Sequence, residues 1–212
     1  AALRALTTKG IQHGHMKMHL QNILNQFNAT DEEKEIITTY FDKRTVTHSA
    51  VVEKIKSLRK PKINWVNFLD EDLISAKLSK LNANSKPVFG LMNAQQMIEH
   101  LSLLMQISNG KIDADHFVSD EKSARRKPFL NTEGELQIGF KAAILSDEPT
   151  PEKFQNILEA ITDLKKQISS FEVHFKTTET ENHPFFGDLD YEYWKKFHVK
   201  HFTHHFKQFE LV

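Results

Sequence analysis

His201 and His205 stand four residues apart in a C-terminal segment of helical periodicity. At about 100° per residue their imidazoles lie about 40° apart on one face of that helix and converge on one point. Helical zinc sites recruit two ligands with this spacing. With His201 as the reference, Trp194 falls at about 20°, Gln208 at about −20° and His198 at about 60°. The face shared by His201, His205 and His198 therefore also carries a tryptophan, which marks it as the inward one. His204, at about −60°, sits on the flank.

A third histidine, His100, is the only one on its predicted helix, and Met97, Leu103, Leu104 and Ile107 all lie within about 60° of it. Burial there disfavours the charged ring and demands partners for both nitrogens. Two readings stay open from the residues alone: a satisfied core histidine, or a ligand. Glu99 is adjacent in sequence but points about 100° away. The Glu-His pair is not a zincin or inverzincin pattern, because the positions for a second helical histidine hold Gln96 and Leu104. His15 and His19 form another pair four residues apart, yet His15 lies about 100° off the apolar stripe of its helix and reads as surface. His13 and His48 read the same way. His116, His174 and His183 have no helical partner and stay unassigned.

These side chains need helices to carry them, and seven glycines with six prolines leave room for long ones. Periodicity predicts helices over 11–27, 30–41 and 50–58, the second opened by the capping box Thr30-x-x-Glu33. Lys60-Pro61-Lys62 is the predicted boundary, with a helical extension over 1–60 and a four-helix bundle over 61–212. The bundle helices are expected over 70–81, over 93–108 behind an Asn93/Gln96 capping box, from Pro151 to Phe171, and from Asp188 or Asp190 to Phe209. Asn109-Gly110 reads as a left-handed stop. Residues 111–149 read as irregular. Within them Lys122–Lys127 resembles a loop-like basic run, and Leu136, Ile138 and Phe140 alternate as a short strand would. The fold class expected is all-α.

Composition narrows the functions. Lysine plus arginine and aspartate plus glutamate both number 28, so the basic excess of a nucleic-acid binder is missing. Cysteine is absent, which removes disulfides, thiolate zinc sites and cysteine nucleophiles together. No apolar run approaches the ~18–20 residues of a membrane span, and the first residues do not read as a signal peptide. A cytoplasmic location is the expectation, with neither nucleic acid nor membrane as partner.

Two stretches resemble the DinB-like family of helical bundle proteins, a family described as metal-dependent hydrolases. One is Phe89–Leu101, similar to the family's second-helix segment, whose histidine is a metal ligand. The other is His183-Pro184-Phe185-Phe186-Gly187 followed by His201–Phe209, similar to the His-x-x-His-His-x-x-Gln ending of the fourth helix. The resemblance covers about residues 64–209. It implies His100, His201 and His205 as metal ligands, with His198, Gln96 and Glu99 as candidates for the surrounding layer. It also implies a divalent ion, zinc or nickel first and manganese or iron also suited, because imidazole accepts several ions. Three neutral imidazoles leave a coordination position open, as in catalytic sites. The expected function is hydrolysis, or transfer of a low-molecular-weight thiol, on a small-molecule substrate. The alternative is a non-enzymatic binding or scaffold module whose metal is structural or absent. The sequence is compatible with an oligomer and names no general base.

Overall fold

The computed structural model describes residues 16–59, 63–113, 118–139 and 149–212. His13, His15, His116, Phe140 and the Lys60–Lys62 stretch lie outside them. The chain forms two compact units, residues 1–63 and 64–212. Among the described residues no helix is long and apolar enough to cross a membrane.

In the first unit, α1 (16–26), α2 (Asp31–Phe41) and α3 (His48–Arg59) close around Leu24, Ile37, Val51 and Ile55. The Thr30/Glu33 capping box forms on α2 as its spacing predicts. Arg59 closes the end of α3 onto that cap, its Nε and Nη2 donating to the two Glu33 oxygens at 2.8 and 2.9 Å. The guanidinium, with the Thr30 N–H, holds the Glu33 carboxyl down to about 2. His19 and His48 are exposed.

The second unit is also mostly helical. Its helices are α4 (Glu71–Leu78), α5 (Ala94–Ser108), α6 (Asp120–Arg126), α7 (Ile157–His174) and α8 (Tyr191–Gln208), with a 3₁₀ turn over Lys127–Asn131. A short antiparallel hairpin, β1 (Glu181–His183) and β2 (Gly187–Leu189), precedes α8 and pairs His183 with Gly187. The all-α class holds at this level. Helix α8 is the core element: ten of its 18 residues are buried, from Trp194 and Phe197 to Phe206 and Gln208, and they lie on every side of the helix. Lys200 is buried among them. Its Nζ donates to the carbonyls of Thr132 and Gly134 at 2.6 and 2.5 Å and lies over the Trp65 and Phe129 rings. Helix α5 packs along α7 through a polar layer in which Ser102 Oγ donates to Asp163 Oδ2 at 2.5 Å and Gln167 Nε2 to Oδ1 at 3.0 Å.

Local signals place most ends. Asn93 and Gln96 cap α5 reciprocally, Asp70 caps α4, and Asp190 rather than Asp188 caps α8. Gly110 ends α5 at φ +63°, and a Cβ there would meet Glu181 Oε1 at 2.6 Å. Glycine is thus required both for the left-handed turn and for the approach of the His174–Glu181 pair.

Helix α7 starts at Ile157, not Pro151, because Glu99 draws off the backbone before it. The Glu99 carboxylate accepts the N–H groups of Lys153 and Phe154 at 2.7 and 3.0 Å, and Asn156 then caps the helix. Leu158, in the first turn of the helix as it stands, is 71% exposed. The Lys122–Lys127 run is no loop: most of it is α6, with acidic residues in its first turn and arginines in its last, as the helix dipole favours. Residues 134–137 form no strand, and Ile138 is exposed in a turn. The strands lie instead at Glu181–His183 and Gly187–Leu189.

Candidate metal centre

Helix α5, fixed at its start by the Asn93 cap, carries His100 toward α8. There its Nε2 lies 3.0 Å from His201 Nε2, and His205 Nε2 lies 3.1 Å from the same atom. The three histidines form a group whose nitrogens all lie within 4.8 Å of one another, with His201 and His205 buried and His100 half-buried. Nitrogens bound at ~2.0–2.1 Å to one ion stand about 2.9–3.4 Å apart for angles between 90° and tetrahedral. The two contacts fall in that range.

Proton counting separates this cluster from an ordinary hydrogen-bonded one. Gln208 Nε2 donates to the Phe89 carbonyl at 2.8 Å, which orients the amide and turns Oε1 to His205 Nδ1 at 2.9 Å. That oxygen only accepts, so Nδ1 carries the proton of neutral His205 and its Nε2 presents a bare lone pair to the cluster. His201 Nε2 faces two other Nε2 atoms with either one proton or one lone pair, so it satisfies one of them at most. A cation satisfies all three lone pairs.

Gln208 was not among the candidate site residues, although it shares the inward face and follows His205 by three positions. Its seat depends on Gly90, which has φ +77° and where a Cβ would stand 2.5 Å from Gln208 Nε2. The Val88 N–H also donates to the Gln208 carbonyl at 2.8 Å. Outer partners of this kind fix the ligand tautomer and typically matter 10–100-fold in metal affinity. Gln208→Leu is therefore expected to weaken zinc binding by about that factor. Chelator competition measures it, and an unchanged affinity would remove Gln208 from the site.

A family model described as "Protein of unknown function (DUF1569)" matches residues 66–211. The chain belongs to the DUF1569 family. The matched segment contains His100, His201, His205, Gln208 and Gly90, and excludes the first unit. No curated protein and no solved structure matches the chain.

The DUF1569 unit keeps these rings neutral. Burial pushes His100 down to about 4 and drives His201 and His205 well below the ordinary histidine range, and the neighbouring imidazoles add to the effect. Neutral imidazole is the ligating form.

The remaining candidates make contacts of other kinds. Gln96 spends its side chain on the α5 cap and on the Thr150 carbonyl, and Glu99 on Gln95, Lys153 and Phe154, so both fasten the 150–154 segment. His198 is fully buried, its Nε2 2.9 Å from Ser108 Oγ and its ring stacked on Trp194. His204 is half-buried against the Phe89 ring. His174 pairs with Glu181 at 2.7 Å, and His183 is buried among Phe186, Trp194 and Phe197.

Proposed function

We propose that residues 64–212 form a four-helix bundle of DinB-like type that binds one divalent metal through His100, His201 and His205. In this reading it uses the metal for hydrolysis, or for transfer of a low-molecular-weight thiol, on a small molecule. The observation that carries the reading is the convergence of three Nε2 atoms, one of them held as a bare lone pair by Gln208. Zinc or nickel suits three imidazoles best, with manganese and iron also accommodated.

Three protein ligands leave a position for water or substrate. An ion held there lowers the pKa of a bound water or thiol toward neutrality. His100 is the one ligand that is half-buried rather than buried. Gln208 holds the His205 ring, and Phe197 stacks on His201 with ring centroids 5.1 Å apart, so both α8 ligands are oriented before any ion binds. This preorganisation favours a defined coordination geometry over a loose one.

The test compares metal-loaded and chelated protein on ester, amide and thiol-transfer substrates. Turnover that appears with metal and disappears in His100→Ala is the expected result. A fully loaded protein inactive on all three classes, and losing its fold when chelated, would instead make the metal structural.

A further inference from the structure

Among the described residues, three histidines each leave one buried ring nitrogen without a hydrogen-bond partner: His183 Nε2, His198 Nδ1 and His201 Nδ1. All three side chains are deeply buried, at 3%, 0% and 6% exposure. Their rings share one aromatic wall, with centroids 4.3, 5.3 and 5.1 Å from Phe197, and His183 and His198 also pack on Trp194. His198 and His201 are one turn apart on α8, a spacing that makes them neighbours on the helix surface.

The bonds these rings do make fix what the unpartnered nitrogens carry. Ser108 Oγ gives its single proton to the Met105 carbonyl at 3.0 Å, so it accepts from His198 Nε2–H. His198 Nδ1 is therefore a bare acceptor. His183 Nδ1 accepts the Phe185 N–H at 3.0 Å, so the neutral ring carries its proton on Nε2 as an unused donor. His201, bound to metal through Nε2, has its proton on Nδ1 and is a second unused donor.

Two donors and one acceptor complement a water molecule, which accepts twice and donates. Buried waters typically satisfy about three such groups. We propose that His183, His198 and His201 enclose one ordered water, through which His198 fixes the Nδ1–H tautomer of the metal ligand His201. His198 and His183 are then positioning residues in a second histidine layer behind the metal. The inference rests on His201 being a ligand, as proposed above. It adds how His201, which meets no carboxylate among the described residues, can still be oriented: a histidine anchored by Ser108 takes the carboxylate's place.

The experiment uses the zinc-loaded protein. Nitrogen-15 shifts of the imidazoles should report His198 and His183 protonated on Nε2 and His201 on Nδ1. His198→Phe, which keeps an aromatic ring and removes the acceptor, should weaken zinc binding about 10- to 100-fold in chelator competition. His198 protonated on Nδ1 in the wild type would overturn the proposal, with no variant needed. So would a folded His198→Phe protein that binds zinc within twofold of wild type. Failure of the wild type to bind zinc at all would strike the metal reading itself, a different result from either of these.

Discussion

Replacing His201 with alanine is expected to abolish stoichiometric metal binding. His201 Nε2 is the atom that both other nitrogens approach, at 3.0 and 3.1 Å, so its loss leaves His100 and His205 without a shared partner. The ~10–16 kcal/mol of four-ligand structural zinc sites is about 3 kcal/mol per ligand, so losing one of only three protein ligands costs about a hundredfold or more in affinity. Folding should survive, because the ring that stacks on it, Phe197, and the core residues Trp194, Phe202 and Phe206 keep their burial. Competition with a chromophoric chelator measures the loss. A variant that holds zinc as tightly as wild type would place the ion elsewhere.

The second large effect is on acid stability. Burial holds His100 at about 4 and His183 at about 3, and keeps His198 well below the ordinary range. In the unfolded chain each returns to about 6.5. Between the folded and unfolded values the unfolded state binds more protons, so stability falls as pH drops through that window. For each ring the loss is complete only below its folded value. At about 1.4 kcal/mol per pKa unit, His100 and His183 alone remove several kcal/mol, comparable with the ~5–15 kcal/mol that holds a typical domain together. The chelated protein is therefore expected to lose its helical circular dichroism between about pH 6 and 4. Metal binds the folded state, so the loaded protein should unfold at lower pH than the chelated one. Thermal midpoints unchanged from pH 7 to 4.5 in the chelated protein would contradict this account of the buried rings.

Much of the second unit was legible where the deciding interactions are local. Asn93 and Gln96 mark the start of α5 within four residues, and Asp190 marks that of α8. His201 and His205 could be read together because four residues on one helix fix their relative angle. His100 could not be joined to them by spacing, since it arrives from another helix; only a family resemblance named it, and the structure brings the three together. The start of α7 was misread for a related reason. Pro151 favours a first helical turn, but the Glu99 carboxylate, more than fifty residues away in sequence, takes the Phe154 N–H that would have closed that turn, together with the Lys153 N–H. Strands of three residues, as in the Glu181–Leu189 hairpin, are too short to show alternation. Gln208 was placed on the right face but given no role, because its role depends on the Phe89 carbonyl and on a glycine with positive φ more than a hundred residues earlier.

Three converging imidazoles hold one ion per chain in this reading. Protein prepared without a histidine tag, saturated with zinc and freed of loose metal by gel filtration, should contain one ion per chain by elemental analysis. Its imidazole nitrogen-15 spectrum should show Nε2 of His100, His201 and His205 shifted by coordination. A chain that carries no stoichiometric metal after saturation with zinc, and equally none after nickel, manganese or iron, would contradict it.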